Sequence, residues 1–539
     1  MDLSPALGLA GLLGLIPGFM AFRKGHNFVL WWLFGSALFI FAVPLAMVLE
    51  RKEPTQHLRA PARSQSDRGG NTAPPRTPLG ASGAALRGAG KWGRYGRLPI
   101  VLLALVAFID SVDRGVFNGV ISLVKEDLGF SDTSIGFIGS MFIVMSFIAT
   151  IPAGYMADRL RRTRVIAVVL GSWGLISALN AGVQNLWQFL LVRGALGVGE
   201  TIDNPSSQSL IADYYPAMHR GRAYAYQRAA PTVGTAVGLA LGGAVGGALG
   251  WRAAFLVVGV PGSILAIWIW RLQEPRRGES DEVAEGADGA LLDVAARRGF
   301  GPLWSEMKVA LRVRSLRALM IGTAISAGAT SGFGFWAAAF YERHTRLSVG
   351  GAGGVVGAVI LVGAVAGTIL GGRAADRARR TDVGAPMRLA GIWQSIASVI
   401  FVTTFFPVPL YYRLPGQLVA VAFLVGAFPA LTSMTTEVVP AAIRGIAFSV
   451  TGFLSAILSA ASAPMIGAIS DRFPIVVGGE EVGNLALAFA IVSPLILVGA
   501  LVVLNGRRHV ANDIEHVGDV AAKVGGRTVS LKSGRRRTS

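Results

Sequence analysis

Runs of about 20 apolar residues follow one another along most of this chain, each closed by a short cluster of charged, Gly or Pro residues. That length matches the hydrocarbon core of a bilayer, where the backbone must satisfy its own hydrogen bonds, so the runs read as membrane-spanning helices. Two lie at 3–22 and 28–49. Six follow at 98–123, 134–156, 164–184, 187–212, 221–250 and 252–270. Six more lie at 316–340, 350–372, 387–406, 414–438, 445–469 and 484–505. The pattern predicts an all-α integral membrane protein with 14 membrane helices, grouped two, six and six.

The grouping sets the domain boundaries. Residues 1–50 form an N-terminal two-helix membrane hairpin; the start Met-Asp-Leu-Ser-Pro lacks the positive region of a secretory signal, so the hairpin reads as retained. Residues 51–97 hold ten Lys or Arg against two acids and no apolar period, which predicts a disordered basic linker. A six-helix bundle spans 98–271, a cytoplasmic central loop 272–315, a second six-helix bundle 316–506 and a mobile basic cytoplasmic tail 507–539. In the central loop Leu303, Trp304, Met307 and Leu311 stand at helical spacing, as in an interfacial amphipathic helix.

Composition agrees with the membrane reading: 52% of residues are hydrophobic and 15% charged, where soluble chains carry about 25% charged residues. The net charge of +19 would suit nucleic acid, but Lys and Arg gather in the linker, the central loop, the tail and the loops on one side of the core. The positive-inside rule puts that side and both termini in the cytoplasm, and the plasma membrane is the expected location. Arg23 and Lys24, between the first two helices, run against it. There is no Cys, and all six His, at 26, 57, 219, 344, 509 and 516, fall in loops or tails, which argues against thiolate chemistry, a buried metal site and a Ser-His-Asp hydrolase. No enzyme activity, cofactor, metal or nucleic-acid partner is expected.

A basic signature occurs twice. Gly154-Tyr-Met-Ala-Asp158-Arg159-Leu-Arg161-Arg162 recurs as Gly372-Arg-Ala-Ala-Asp376-Arg377-Ala-Arg379-Arg380, 218 residues on. Pro216-Ala-Met-His-Arg220-Gly221-Arg-Ala223 recurs as Pro440-Ala-Ala-Ile-Arg444-Gly445-Ile-Ala447 at an offset of 224. Repeats this long mean that the two six-helix bundles are copies related by a pseudo-two-fold. Each basic signature closes the second helix of its bundle and reads as a cytoplasmic gating latch, formed by Gly154, Asp158, Arg159 and Arg162 and by Gly372, Asp376, Arg377 and Arg380. An Asp at a helix end can bind Arg or a neighbouring helix N-terminus while that side is closed. A purely topogenic charge cluster is the alternative.

Chemistry is expected where charges enter the membrane. Asp110, Asp113 and Arg114 lie in the first core helix, Arg193, Glu200 and Asp203 in the fourth, and Arg228 in the fifth. Each costs on the order of 3 kcal/mol at a helix centre, so such residues mark a pathway. Asp110 shares a helix face with Asp113 and Arg114, and Arg193 shares one with Glu200, so four carboxylates and three Arg can converge in the first bundle. A static ion-pair network is the alternative. Gly242-Gly243-Ala-Val-Gly246-Gly247 in the fifth helix reads as close helix packing.

The twin loops resemble those of the major facilitator superfamily, whose pattern is Gly, three residues, Asp, Arg, one residue, Gly, Arg, Arg; Arg161 and Arg379 stand where the family has its second Gly. Within it the chain is most similar to the Spinster-like branch. The matching residues are Asp113-Arg114, Arg193, Gly197-Val-Gly199-Glu200, Pro205, Leu210-Ile211-Ala-Asp213, Trp251-Arg252, Glu274-Pro275-Arg276-Arg277-Gly278 and Phe335-Trp336. Ser111-Val112 replace an aromatic before Asp113, and Asp203 is an added carboxylate.

The resemblance implies the major facilitator fold, a monomeric transport unit and alternating access around a central cavity, with Trp336 beside the pathway. It also implies an amphiphilic organic anion, lysophospholipid- or sphingoid-like, as substrate. Protons are the expected coupling ion. Burial and the neighbouring Arg act in opposite senses on the proton affinity of Glu200 or Asp113, and protonation would release an Arg for an anionic head group. A drug or small organic-acid carrier with other coupling, and a non-transporting membrane sensor, are the alternatives.

Overall fold

A computed structural model describes residues 94–280 and 310–516, apart from 346, 441–443 and 478, together with 19, 20, 23, 92, 307 and 308. The first bundle holds α1 (Leu98–Gly119), α2 (Ile121–Leu128), α3 (Asp132–Arg159), α4 (Arg162–Leu179), α5 (Leu186–Tyr214), α6 (Ala217–Leu249) and α7 (Trp251–Trp270). The second holds α8 (Arg314–Thr345), α9 (Val349–Arg379), α10 (Ala385–Phe405), α11 (Leu410–Glu437), α12 (Arg444–Arg472), α13 (Leu485–Val492) and α14 (Pro494–Gly506). A short helix, α15 (Val510–Glu515), follows.

Local chemistry sets the boundaries. The side chains of Ser131, Asn185, Ser348 and Asn484 each accept a hydrogen bond from a first-turn amide of α3, α5, α9 and α13, supplying partners that helix N-termini lack. Gly250, at φ +86°, turns the chain between α6 and α7 in a conformation that disfavours side chains.

Ten of the described helices are long and apolar enough to cross a membrane. Helices α1 and α5 pack among them and match them in length, but carry their ionisable residues in mid-helix. Apart from 19, 20 and 23, the expected hairpin at 3–49 falls outside the described residues, as do most of the linker, Leu303 and Trp304, so the count of 14 is not reached among them.

Three expectations are corrected. The run 484–505 is two helices in line, because Pro494 begins a new helix after Ser493. The tail does not leave the bundle at Arg507: residues 507–515 stay helical, and Asp513 accepts the backbone N–H of Ser315 at the start of α8 at 2.8 Å. His219 lies in the first turn of α6 and His344 in the last turn of α8, its ring 5.0 Å from that of Phe340, rather than in loops. The loop after α12 also carries a small antiparallel ribbon, β1 (Ile475–Val477) with β2 (Glu480–Val482).

Pairing of the helices repeats between the bundles. In the first, α1 packs on α6, α3 on α5 and α4 on α7; in the second, α8 packs on α12, α9 on α11 and α10 on α14. The bundles meet along α6 with α9 and α3 with α12, two seams exchanged by the same pseudo-two-fold. Small residues permit this approach: Gly353 lies against the backbone of Leu239, leaving no room for a Cβ.

Candidate functional site

The mid-helix charges of α1 and α5 form two separate ion pairs. Arg114 bonds the carboxylate of Glu200 through Nη1 and donates through Nη2 to Ser111 Oγ at 2.8 Å. Arg193 Nη1 donates to Asp113 Oδ2 at 2.7 Å, and Ser177 of α4 donates to Asp113 Oδ1 at 2.5 Å. The Arg193 guanidinium also lies 4.1 Å from the ring centre of Phe117 and 5.1 Å from that of Phe255, contacts that favour a desolvated cation.

The two pairs face different spaces. A cavity of about 350 Å³ is lined by Asp110, Arg114, Glu200, Asp203, Gln227 and Arg228, among others. Asp110 of α1 and Asp203 of α5 both face it. Asp113 and Arg193 are each 1–2% exposed and do not line the cavity. The grouping expected from spacing, with Asp113 beside Glu200 and both Arg against both acids, is therefore divided. Asp113 and Arg114 are consecutive and point about 100° apart on α1, so only Arg114 shares the cavity face with Asp110.

Elsewhere in the second bundle, α8 to α11 enclose a mostly apolar cavity of about 230 Å³ lined by Phe333, Tyr341, Val356, Gln394, Phe401 and Gln417, among others. Tyr341 donates to Gln417 Oε1 at 2.7 Å. These residues were not singled out by sequence, because a lone Gln or Tyr in an apolar run carries no pattern. Trp336 lies fully buried and donates its indole N–H to the Ala463 carbonyl at 3.0 Å, tying α8 to α12.

At one end of the first bundle Arg162 is the hub of the basic signature. It bonds Asp213 through Nη1, Glu274 Oε1 at 2.9 Å through Nε, Ser209 at 2.8 Å and the Pro275 carbonyl at 3.2 Å. Glu274 also accepts the backbone N–H and the hydroxyl of Thr163, at 2.9 and 2.7 Å. Burial alone would push the Glu274 pKa up, but these donors outweigh it and hold the group below the ordinary glutamate value.

Arg162 is thus bonded within its own bundle, through Asp213 and Glu274, which stood in quoted motifs without a role. In the second bundle Arg379 pairs with Glu437 at 2.7 Å, and Glu437 is 224 residues after Asp213. Arg220 donates to the Ala212 carbonyl at 3.0 Å and Arg444 to that of Thr436 at 2.9 Å, again with the offset of 224. Asp376, Arg377 and Arg380 are exposed, as is Arg159 at the end of α3. A Cβ at Gly154 or Gly372 would meet nothing within 4 Å. The side chain of Asp158 lies outside the described residues.

The opposite end ties the bundles together. Asp132 accepts from Lys125 at 2.6 Å, from Arg343 of α8 at 2.7 and 2.8 Å and from Ser470 of α12 at 2.7 Å. Asp471 of α12 accepts the amides of Asp132 and Thr133 at 3.0 and 2.8 Å and the Thr133 hydroxyl at 2.6 Å, so one bundle caps a helix of the other. Asp132 lay between two predicted helices and was not singled out.

Residues 103–464 match the Major Facilitator Superfamily. The chain is 31% identical over 224 residues to the probable L-galactonate transporter of Escherichia coli, covering 41% of this chain and 49% of that protein. It is 26% identical over 254 residues to protein spinster homolog 1 of Xenopus tropicalis, covering 46% of each. The chain thus spans about half the length of both relatives. In structure it is similar to a bacterial homolog of the human lysosomal transporter Spinster in an inward-facing, unoccupied conformation. That likeness has a TM-score of 0.64 at 21% identity and covers 80% of this chain and 96% of the other.

Proposed function

Because the chain belongs to the Major Facilitator Superfamily, we propose that it is a proton-coupled secondary transporter of an amphiphilic or anionic organic molecule, working by alternating access. Its family is one of transporters, and the chain is not an enzyme. In this reading α1 and α5 cross the membrane with the ten apolar helices, giving a core of twelve. The Arg162 end faces the cytoplasm, following the excess of Lys and Arg in the loops of that side. With Asp132 tying the other end shut, the conformer is inward-facing.

The observation that carries the reading is the cavity at the Arg114–Glu200 pair, where Asp110, Asp203 and Arg228 also face the open space. Protonating Glu200 neutralises it and frees the Arg114 guanidinium, which then offers its donors to a substrate carboxylate or phosphate. Losing the proton re-forms the pair and expels the anion. The apolar cavity of the second bundle suits the chain of an amphiphile.

A small hydroxylated organic acid is the second reading. It is favoured by Asn204, Ser207, Gln208 and Gln227, polar groups that line the first cavity and can bond hydroxyls. The substrate named for the galactonate relative is of that kind.

The test is uptake into proteoliposomes of a lysophospholipid, a sphingoid base and a hexonate, with and without an imposed pH gradient. Uptake of one class that rises with the gradient is expected. Uptake indifferent to the gradient would remove the proton from the scheme, and no uptake or exchange of any organic anion would remove the transporter reading.

A further inference from the structure

The seam between α1 and α6 opens into a wedge at the Arg162 end. Above Phe108 the two helices touch backbone to backbone, since Gly234, Gly238 and Gly242 lie against the carbonyls of Phe108, Val112 and Val116 with no room for a Cβ. Continued downward at intervals of four, that stripe becomes Ala230, Tyr226 and Arg222, and the helices part. The space between them is about 620 Å³, walled by Ile100, Val101, Leu105, Phe108, Ala230 and Val233 among others, with no acidic residue among the described residues that line it.

Trp92 lies across the mouth. The Arg97 guanidinium is 5.5 Å from its ring centre and that of Arg222 is 5.8 Å, while the Tyr226 ring packs against it at 5.9 Å. Among the described residues neither of these two Arg meets a carboxylate. Two uncompensated cations with two interfacial aromatics therefore cap an apolar trough. From Arg97 to Phe108 the trough is about 16 Å deep at 1.5 Å per residue, close to half of the ~30 Å hydrocarbon core.

We propose that this wedge binds one anionic phospholipid of the cytoplasmic leaflet, its phosphate between Arg97 and Arg222 beside Trp92 and an acyl chain in the trough between α1 and α6. The phosphate supplies the charge that the two guanidinium groups lack, and they can bond its oxygens. Trp and Tyr settle at head-group level because one end of each ring is apolar and the other polar. A free anion would satisfy the cations but leave the trough empty, so the site fits a lipid rather than inorganic phosphate. The sidedness rests on the cytoplasmic assignment of the Arg162 end; the binding chemistry does not.

Native mass spectrometry of the full-length protein, equilibrated with phosphatidylglycerol or phosphatidylcholine, tests this without any transport assay. One phosphatidylglycerol should be retained preferentially. The double variant Arg97→Gln/Arg222→Gln should lower that retention by roughly 30-fold, about fivefold per basic residue. Arg314→Gln/Arg317→Gln removes the same charge from the second bundle and should leave retention unchanged. Leu105→Trp, which fills the trough and keeps both Arg, should also lose the lipid. Equal loss in the two double variants, equal retention of the zwitterionic lipid, or displacement by millimolar inorganic phosphate would each overturn the proposal.

Discussion

Glu200 and Asp113 are both mid-helix carboxylates paired with Arg, yet their surroundings give them opposite tasks. Glu200 opens on the cavity, so Glu200→Gln, which keeps size and removes charge, should abolish accumulation driven by a pH gradient while leaving exchange without a gradient. Proteoliposome uptake reads both, and unchanged pH-driven accumulation would reduce Glu200 to a structural partner. Asp113 is sealed with Arg193, Ser177 and Phe117. Asp113→Asn strands a buried guanidinium, a loss on the order of 3–5 kcal/mol, so its primary effect should be a lower unfolding temperature. If Asp113→Asn melted like the wild type, the division between a working pair and a holding pair would fail. Which residues put charge in mid-helix was legible in the sequence, because each interrupts an apolar run. Their pairing was not: it turns on one step of 100° along α1 and on the hydroxyl of Ser177, an uncharged residue on another helix.

Among the elements, helix existence was plain and helix ends were not. An apolar run of membrane length admits one secondary structure, so the runs of both bundles became helices, most within a few residues of the expected limits and α9 extending seven residues past its own. The ends depend on contacts from elsewhere in the chain, as when Asp471 of α12 caps α3 or Asp513 holds α8. In the proposed cycle, the bonds at Asp132 would have to part for that end to open. Asp132→Asn removes the charge that Lys125 and Arg343 share. It should raise the labelling of a Ser140→Cys reporter by an impermeant thiol reagent, and unchanged labelling would mean that the clasp does not govern opening. At the other end, Glu274 caps α4 with a pKa held below its ordinary 4.5. A depressed carboxylate contributes stability above its unfolded pKa and loses it as pH falls through the folded one. Thermal stability in detergent should therefore drop below about pH 4.5, with a shallower drop in Glu274→Gln. An identical acid profile in the variant would show that Glu274 does not contribute.

At the scale of the whole molecule the repeats at 218 and 224 residues announced two related bundles, and the structure returns that offset in single hydrogen bonds, Arg220 with Ala212 and Arg444 with Thr436. The state of the molecule was not legible, since the proposed alternating-access cycle gives one sequence at least two packings. Here α6 and α9 meet at the Asp132 end, where a Cβ built on Gly350 would lie 3.5 Å from the Cα of Ala244. The two Cα atoms are then no more than about 5 Å apart, inside the limit beyond which two Cys cannot be bridged, and the chain has no Cys of its own to interfere. The double variant Ala244→Cys/Gly350→Cys, once oxidised, should hold this end shut and stop net transport. Binding from the Arg162 end should remain, because the cavity at Arg114 and Glu200 is built within the first bundle and does not need the seam to move. A reductant should restore the cycle. Full transport with the cross-link demonstrably formed would mean that the α6–α9 seam is a fixed joint, and that opening, if it occurs, runs along the α3–α12 seam alone.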